Sequence, residues 1–137
     1  MATTTATITL QSADLTGDAL ALSRSANLTK AGFNNGLDQT TGVGRKTTQG
    51  TSENTLFLEA EFKPEGTDLA KRAHKIYLSN TSSTASEYFT LTLGTQTVGH
   101  LYAGDWCFLP WDGESDVKFT PSVATSMTIE FMLIYES

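Results

Sequence analysis

The sequence predicts an all-β fold, a jelly-roll-like β-sandwich of roughly eight antiparallel strands, and three observations carry that prediction. Apolar residues recur at every second position in short runs along most of the chain, the period of a strand with one buried face. Gly, Pro, Asn, Asp and Ser clusters separate those runs about every ten residues, the spacing of a sandwich or barrel. Helical periodicity is absent apart from one short candidate turn.

The organising stretch runs over residues 97–111. It holds both tryptophans, Trp106 and Trp111, the only cysteine, Cys107, and also His100 and Pro110. Two apolar runs meet there at Ala103-Gly104-Asp105, a sequence that breaks pairing and turns the backbone, so it reads as a corner where two sheets meet. With alternation in force, Trp106 and Phe108 project together into the core, and Trp106→Ala is expected to be poorly soluble.

The 137 residues form one domain over 1–137, enough to bury roughly two-thirds of the surface of the unfolded chain. A net charge of -6, with nine scattered Lys and Arg, argues against a nucleic-acid partner, which needs clustered cations. A single cysteine excludes an internal disulfide, and Cys107, between two aromatics, reads as an inert thiol. The start of the chain lacks the charged and apolar regions of a secretory signal, and no apolar run approaches the roughly 20 residues of a membrane span. The expectation is a protein used without export by such a signal and with no membrane partner.

Along the chain, Thr5, Thr7 and Thr9 alternate with Ala6, Ile8 and Leu10 as a half-buried strand, although residues 1–7 could equally be an N-terminal arm. After a turn near residues 14–18, Leu20, Leu22, Ala26 and Leu28 share a face that Arg24 interrupts, which marks part of it as a rim or an interface. Residues 31–54 are rich in Gly, Thr, Asn and Gln and read as a long loop. Residues 41–47 lack the glycine before the lysine, and the following helix, of a phosphate loop. Arg45 and Lys46 therefore belong to a basic surface loop, either solvated or facing an acidic partner.

Residues 55–63 read as a strand with Leu56, Leu58, Ala60 and Phe62 on one face and Phe57, Glu59, Glu61 and Lys63 on the other. The two glutamates would lie about 7 Å apart, but on an open face they lack the two-sided cleft of a glycosidase. Residues 67–71 could make one helical turn capped by Thr67. His74, Ile76 and Leu78, and then Phe89, Leu91 and Leu93, resemble a hairpin. His74 and His100 are the only histidines and do not make a zinc site by themselves, and the acidic turn 112–116 lacks calcium-loop spacing, so no cofactor or metal is expected. The core is expected to include Leu58, Phe62, Leu91, Trp106, Cys107, Phe108 and Phe131. The last strand carries Met127, Ile129, Phe131, Leu133 and Tyr135 on one face and Met132 and Ile134 on the other. Its second apolar face needs a cover, either the N-terminal strand or a neighbouring subunit.

The order Lys75-Ile-Tyr-Leu-Ser-Asn80, Tyr88-Phe-Thr-Leu-Thr-Leu93, Leu101-Tyr-Ala-Gly-Asp-Trp106 with Leu109-Pro110, Val117-Lys-Phe119 and Met127-Thr-Ile-Glu-Phe-Met-Leu133 resembles small structural proteins of tailed bacteriophages, in particular capsid decoration (cement) proteins of marine phages. The similarity covers about the C-terminal half of the chain. It implies a non-enzymatic jelly roll, a homotrimer, that binds the major capsid protein on the outer surface of a shell assembled in the host cytoplasm and stabilises the virion. On that reading the arm (Ala2, Thr3, Thr4, Thr5 and Thr7) and the loop (Phe33, Arg45 and Lys46) touch the shell, and Met132 and Ile134 lie at or near a subunit contact. The alternatives are a phage tail or fibre component, or a carbohydrate-binding module using Trp111, Tyr102 or Phe33 as a sugar platform.

Overall fold

Alternation along the last strand sets the frame of the molecule. The computed structural model describes residues 3–14, 20–62 and 72–136, and among these residues the chain forms β1 (Thr5–Ser12), β2 (Leu20–Asn27), β3 (Gln39–Thr40), β4 (Gly44–Thr48), β5 (Asn54–Phe57), β6 (His74–Asn80), β7 (Tyr88–Leu93), β8 (Gln96–Tyr102), β9 (Trp106–Trp111), β10 (Val117–Pro121) and β11 (Met127–Tyr135). β11 pairs β6 along one edge, and its other edge is shared by β4 and β3. β9 completes that sheet, giving the order β4-β11-β6-β9, and the facing sheet has the order β5-β10-β7-β8. All these pairs are antiparallel. Eight strands interleaved between two sheets in this order are the jelly-roll arrangement, so the predicted fold class is the one observed.

The core lies between the sheets. His74, Ile76, Leu78 and Asn80 of β6 point inward and are buried, as are Ile129 and Leu133 of β11, Phe89 and Leu91 of β7, and Val117 and Phe119 of β10. Phe57 packs edge-on against Phe62 and Phe131 and stacks on Trp111; Leu91 and Phe131 lie in or against the core as the alternation predicts, and Phe62 packs there too although it lies beyond the end of β5.

The corner after β8 carries the chain from one sheet to the other. Gly104 turns with φ +80°, and its N–H donates to the Asn80 carbonyl at 3.0 Å, while the Asn80 N–H donates to the Asp105 carbonyl at 2.9 Å. The buried Asn80 amide donates to the Leu101 and Glu87 carbonyls and accepts from the Ser82 N–H. The Asn at the end of β6 and the Gly-Asp corner, distant in sequence, are thus one hydrogen-bonded joint, satisfying polar groups that burial would otherwise leave costly.

Several expectations are corrected. β6 and β7 do not form a hairpin: they sit in opposite sheets, and the tight hairpin is β7–β8, turning at Gly94 with φ +60°. Residues 31–54 are not one loop, because β3 and β4 fall inside them. β4 is too polar to read as a strand, but as an edge strand it needs only one buried face. β5 ends at Phe57, and a 3-10 turn over Glu59–Glu61 follows, so the buried side chain is Phe57, while Leu58 is 43 % exposed and outside the core. The same turn removes the two glutamates from a common strand face. In β9 the facing is inverted: Cys107, Leu109 and Trp111 pack against the core, whereas Trp106 and Phe108 point out and are 54 % and 37 % exposed. The helical turn expected at residues 67–71 lies outside the described residues.

Candidate partner-binding groove

β1 and β2 form a hairpin that, among the described residues, pairs with no strand of the sandwich. Its register makes it two-faced. Thr5 opposes Asn27, Thr7 opposes Ser25 and Thr9 opposes Ser23, with side-chain hydrogen bonds of 2.9 Å for the first pair and 2.7 Å for the second. The other face pairs Ala6 with Ala26, Ile8 with Arg24, Leu10 with Leu22 and Ser12 with Leu20. An isolated two-stranded ribbon is marginal in water, so this apolar face needs a surface to lie against.

At its base the hairpin has one. The Leu28 N–H donates to the Thr4 carbonyl, and Leu28 and Leu37 bury Ile134 on the outer face of β11, with Ala6, Ala73 and Met132 packed alongside. Within the chain, then, the second apolar face of the last strand is covered by the N-terminal segment, and Ile134 is 8 % exposed. That is the intramolecular alternative of the two expected, and it withdraws Ile134 from a free subunit-facing surface.

Farther out the two layers stand apart. A groove of about 900 Å³ separates the hairpin from the outer face of β6 and β9. Ala6, Ile8, Leu10 and Ala26 line it from the hairpin, and Tyr77, Trp106 and Phe108 line it from the sheet. Two cations sit in this apolar lining, Arg24 and Lys75. The Arg24 guanidinium donates to its neighbour's carbonyl, Ser23, and the Lys75 ammonium to the Ala73 carbonyl; among the described residues neither makes an ion pair. Burial lowers the Lys75 pKa below its ordinary value, and Glu136 partly opposes that shift. Asp105 also lines the groove, its carboxylate accepting the Tyr102 N–H at 2.9 Å.

The other expected contact residues are dispersed. Thr5 and Thr7 lie on the polar face of the hairpin, Thr3 and Thr4 lead into it, and Ala2 lies outside the described residues. Phe33 is exposed in a turn closed by its own N–H to the Lys30 carbonyl. Arg45 and Lys46 are not loop residues: they are in β4, where the Arg45 Nε pairs with Glu130 at 2.9 Å. Lys46 turns to the inner edge, donates to the Thr55 carbonyl at 3.0 Å and lies 5.7 Å from the Phe119 ring centre. The sequence signals for the groove were the Arg24 interruption and the aromatics at 106 and 108, but their sides could not be read from alternation alone.

Elsewhere, Tyr88, His100 and Tyr102 cluster on the outer face of β7 and β8, with ring centres 4.7 to 6.4 Å apart. Trp111 is not a surface platform: it is buried, and its indole N–H donates to the Ser115 carbonyl at 2.9 Å. His74 is fully buried between Trp111 and Tyr135, and among the described residues its Nε2 has no hydrogen-bond partner of good geometry. Among the described residues no group of three or more His, Cys, Asp or Glu is placed to hold a metal ion, and no helix is long and apolar enough to cross a membrane. The chain matches no protein-family model and no curated protein.

Proposed function

We propose that this chain is a non-enzymatic docking protein, and specifically a capsid decoration protein that binds the major capsid protein on the outside of a tailed-phage shell as a homotrimer. The observation that carries the reading is the open groove between the apolar face of the N-terminal hairpin and the outer aromatics of β9. Exposed apolar surface of that kind marks interaction sites in stable proteins. The jelly roll supplies a rigid body, and the resemblance of residues 75–133 to phage structural proteins supplies the class of partner.

The mechanism is thermodynamic linkage. A ligand present at 100 times its dissociation constant, binding the assembled shell and not its dissociated parts, stabilises each site by about 2.7 kcal/mol, and a shell repeats that site many times. The test is co-sedimentation of the purified protein with mature tailed-phage capsids, followed by heating with and without it. Retention on the capsid and a higher disruption temperature are expected, both lost when residues 3–27 are deleted. No retention on any capsid tested refutes the reading.

The aromatic patch of Tyr88, His100 and Tyr102 favours a second reading, a carbohydrate-binding module, because exposed rings stack on sugar faces. Binding on a glycan array that Tyr102→Ala abolishes, without capsid binding, would select it over the first.

A further inference from the structure

The groove combines three properties that together restrict what can fill it. Its walls are largely apolar and stand on either side of an open volume of about 900 Å³. Its layers end in strand edges, since among the described residues β1 and β2 pair only with each other and β9 is the last strand of its sheet. Its charges sum to a positive excess, because Arg24 and Lys75, which make no ion pair among the described residues, outnumber the one lining carboxylate, Asp105, which accepts the Tyr102 N–H.

The placement of Arg24 is the most informative of these. The polar face of the hairpin is built from Thr, Ser, Asn and Gln with a single Ala, and would accept a guanidinium readily. Instead Arg24 stands opposite Ile8, in the middle of the apolar face that looks into the groove. In a chain of net charge -6, two cations against one carboxylate in an apolar groove make the local charge opposite in sign to that of the whole molecule.

We infer that the groove binds an extended, acidic segment of a partner polypeptide, with apolar side chains seated against Trp106, Phe108 and Ile8 and carboxylates facing Arg24 and Lys75. This rests on the docking function proposed above and names the partner's chemistry. An extended strand uses both available features: free edges give main-chain hydrogen bonds, and its alternate side chains enter the apolar walls. An acyl chain would leave the strand edges unused. A second copy of this chain would have to bring an acidic, apolar strand of its own.

The test uses the whole chain and a displayed library of random peptides. Enriched peptides are expected to alternate apolar residues with Asp or Glu. A synthetic peptide of the enriched sequence should shift the emission of Trp106 to shorter wavelength, while the buried Trp111 gives a constant background. Arg24→Glu and Lys75→Glu should each weaken binding about tenfold or more, and Val98→Ala, exposed on β8 of the other sheet and away from the groove, should leave it unchanged. Where a reversal disturbs the thermal melt, Arg24→Gln and Lys75→Gln replace it.

No enrichment, enrichment of basic or uncharged peptides, or affinity indifferent to both reversals overturns the inference. Self-association that both reversals abolish, with no peptide selected, assigns the groove to a second copy and also overturns it. Capsid binding that survives both reversals keeps the decoration reading and removes this one, whereas peptide binding without capsid binding does the opposite.

Discussion

The two tryptophans offer the sharpest test of which side of β9 faces the core. Trp111 is 2 % exposed, stacks on Phe57 at 6.1 Å between ring centres, meets Phe62 at 6.2 Å and donates its indole N–H to the Ser115 carbonyl. Truncating a buried Trp to Ala costs about 3–5 kcal/mol, and an orphaned carbonyl adds about 1 kcal/mol more. Against a total stability of about 5–15 kcal/mol for a natural domain, Trp111→Ala is left marginal. A change of that size lowers the melting temperature by about 10–25 °C in a chain of this length. Trp111→Phe keeps most of the ring packing and should lose about 1–2 kcal/mol. Trp106, 54 % exposed over the groove, should tolerate Ala within about 0.5–1 kcal/mol. Urea unfolding followed by far-ultraviolet circular dichroism measures all three without relying on the indoles. Equal losses for Trp106→Ala and Trp111→Ala, or a near-neutral Trp111→Ala, would refute the assigned facing of β9.

Three further outcomes follow from individual side chains. Burial holds the His74 pKa below its ordinary 6.5; the Phe62 backbone and Glu136 oppose that shift, and Arg72 and Lys75 reinforce it. Below about pH 6.5 the unfolded chain therefore takes up the proton first, so the stabilisation present above that pH is lost on acidification, and the urea midpoint should fall between about pH 7 and 5. His74→Leu should flatten that part of the profile, and an unchanged slope would contradict it. Cys107 should react slowly with a disulfide reagent at neutral pH, the rate climbing towards the thiol pKa, which burial raises to about 11; a fast reaction at pH 7 would place the thiol in water. Gly44→Ala should cost about 1–3 kcal/mol, because its added methyl would meet the Phe131 ring at 2.7 Å, and Phe131→Leu in the same chain should recover part of that loss in a urea titration.

Sequence alternation exposed most of the sandwich because a strand with one buried face has a period that needs no tertiary knowledge. β6, β7, β8, β10 and β11 are legible for that reason, and so is the corner at Gly104. β4 was not, since Arg45 and Lys46 give it a polar reading; only pairing with Glu130 and Ile129 of β11 makes it a strand. β5 is shorter than its alternation, which continues past Phe57 into residues that instead wind into a 3-10 turn, where the Glu59 N–H donates to the Asp116 carboxylate at 2.9 Å. The false hairpin of β6 and β7 arose from sequence proximity, which does not distinguish a turn within a sheet from a crossing between sheets.

Alternation also says which residues share a face without saying which face is inside, and this ambiguity was concentrated in two strands. β9 offers Trp106 and Phe108 on one side against Cys107, Leu109 and Trp111 on the other; β11 offers Met132 and Ile134 against Ile129, Phe131 and Leu133. In both, the sandwich claims one set, and the second set lies in the single outer layer beneath the N-terminal segment. That segment closes over β11 at its base, leaving Ile134 8 % exposed, and stands clear of β9, leaving Trp106 54 % exposed. A continuous apolar layer, covered at one end by the chain itself and open at the other, has the form of a site whose cover is completed by something else. The apolar residues that obscured the facing of β9 therefore carry the strongest sequence signal for the groove.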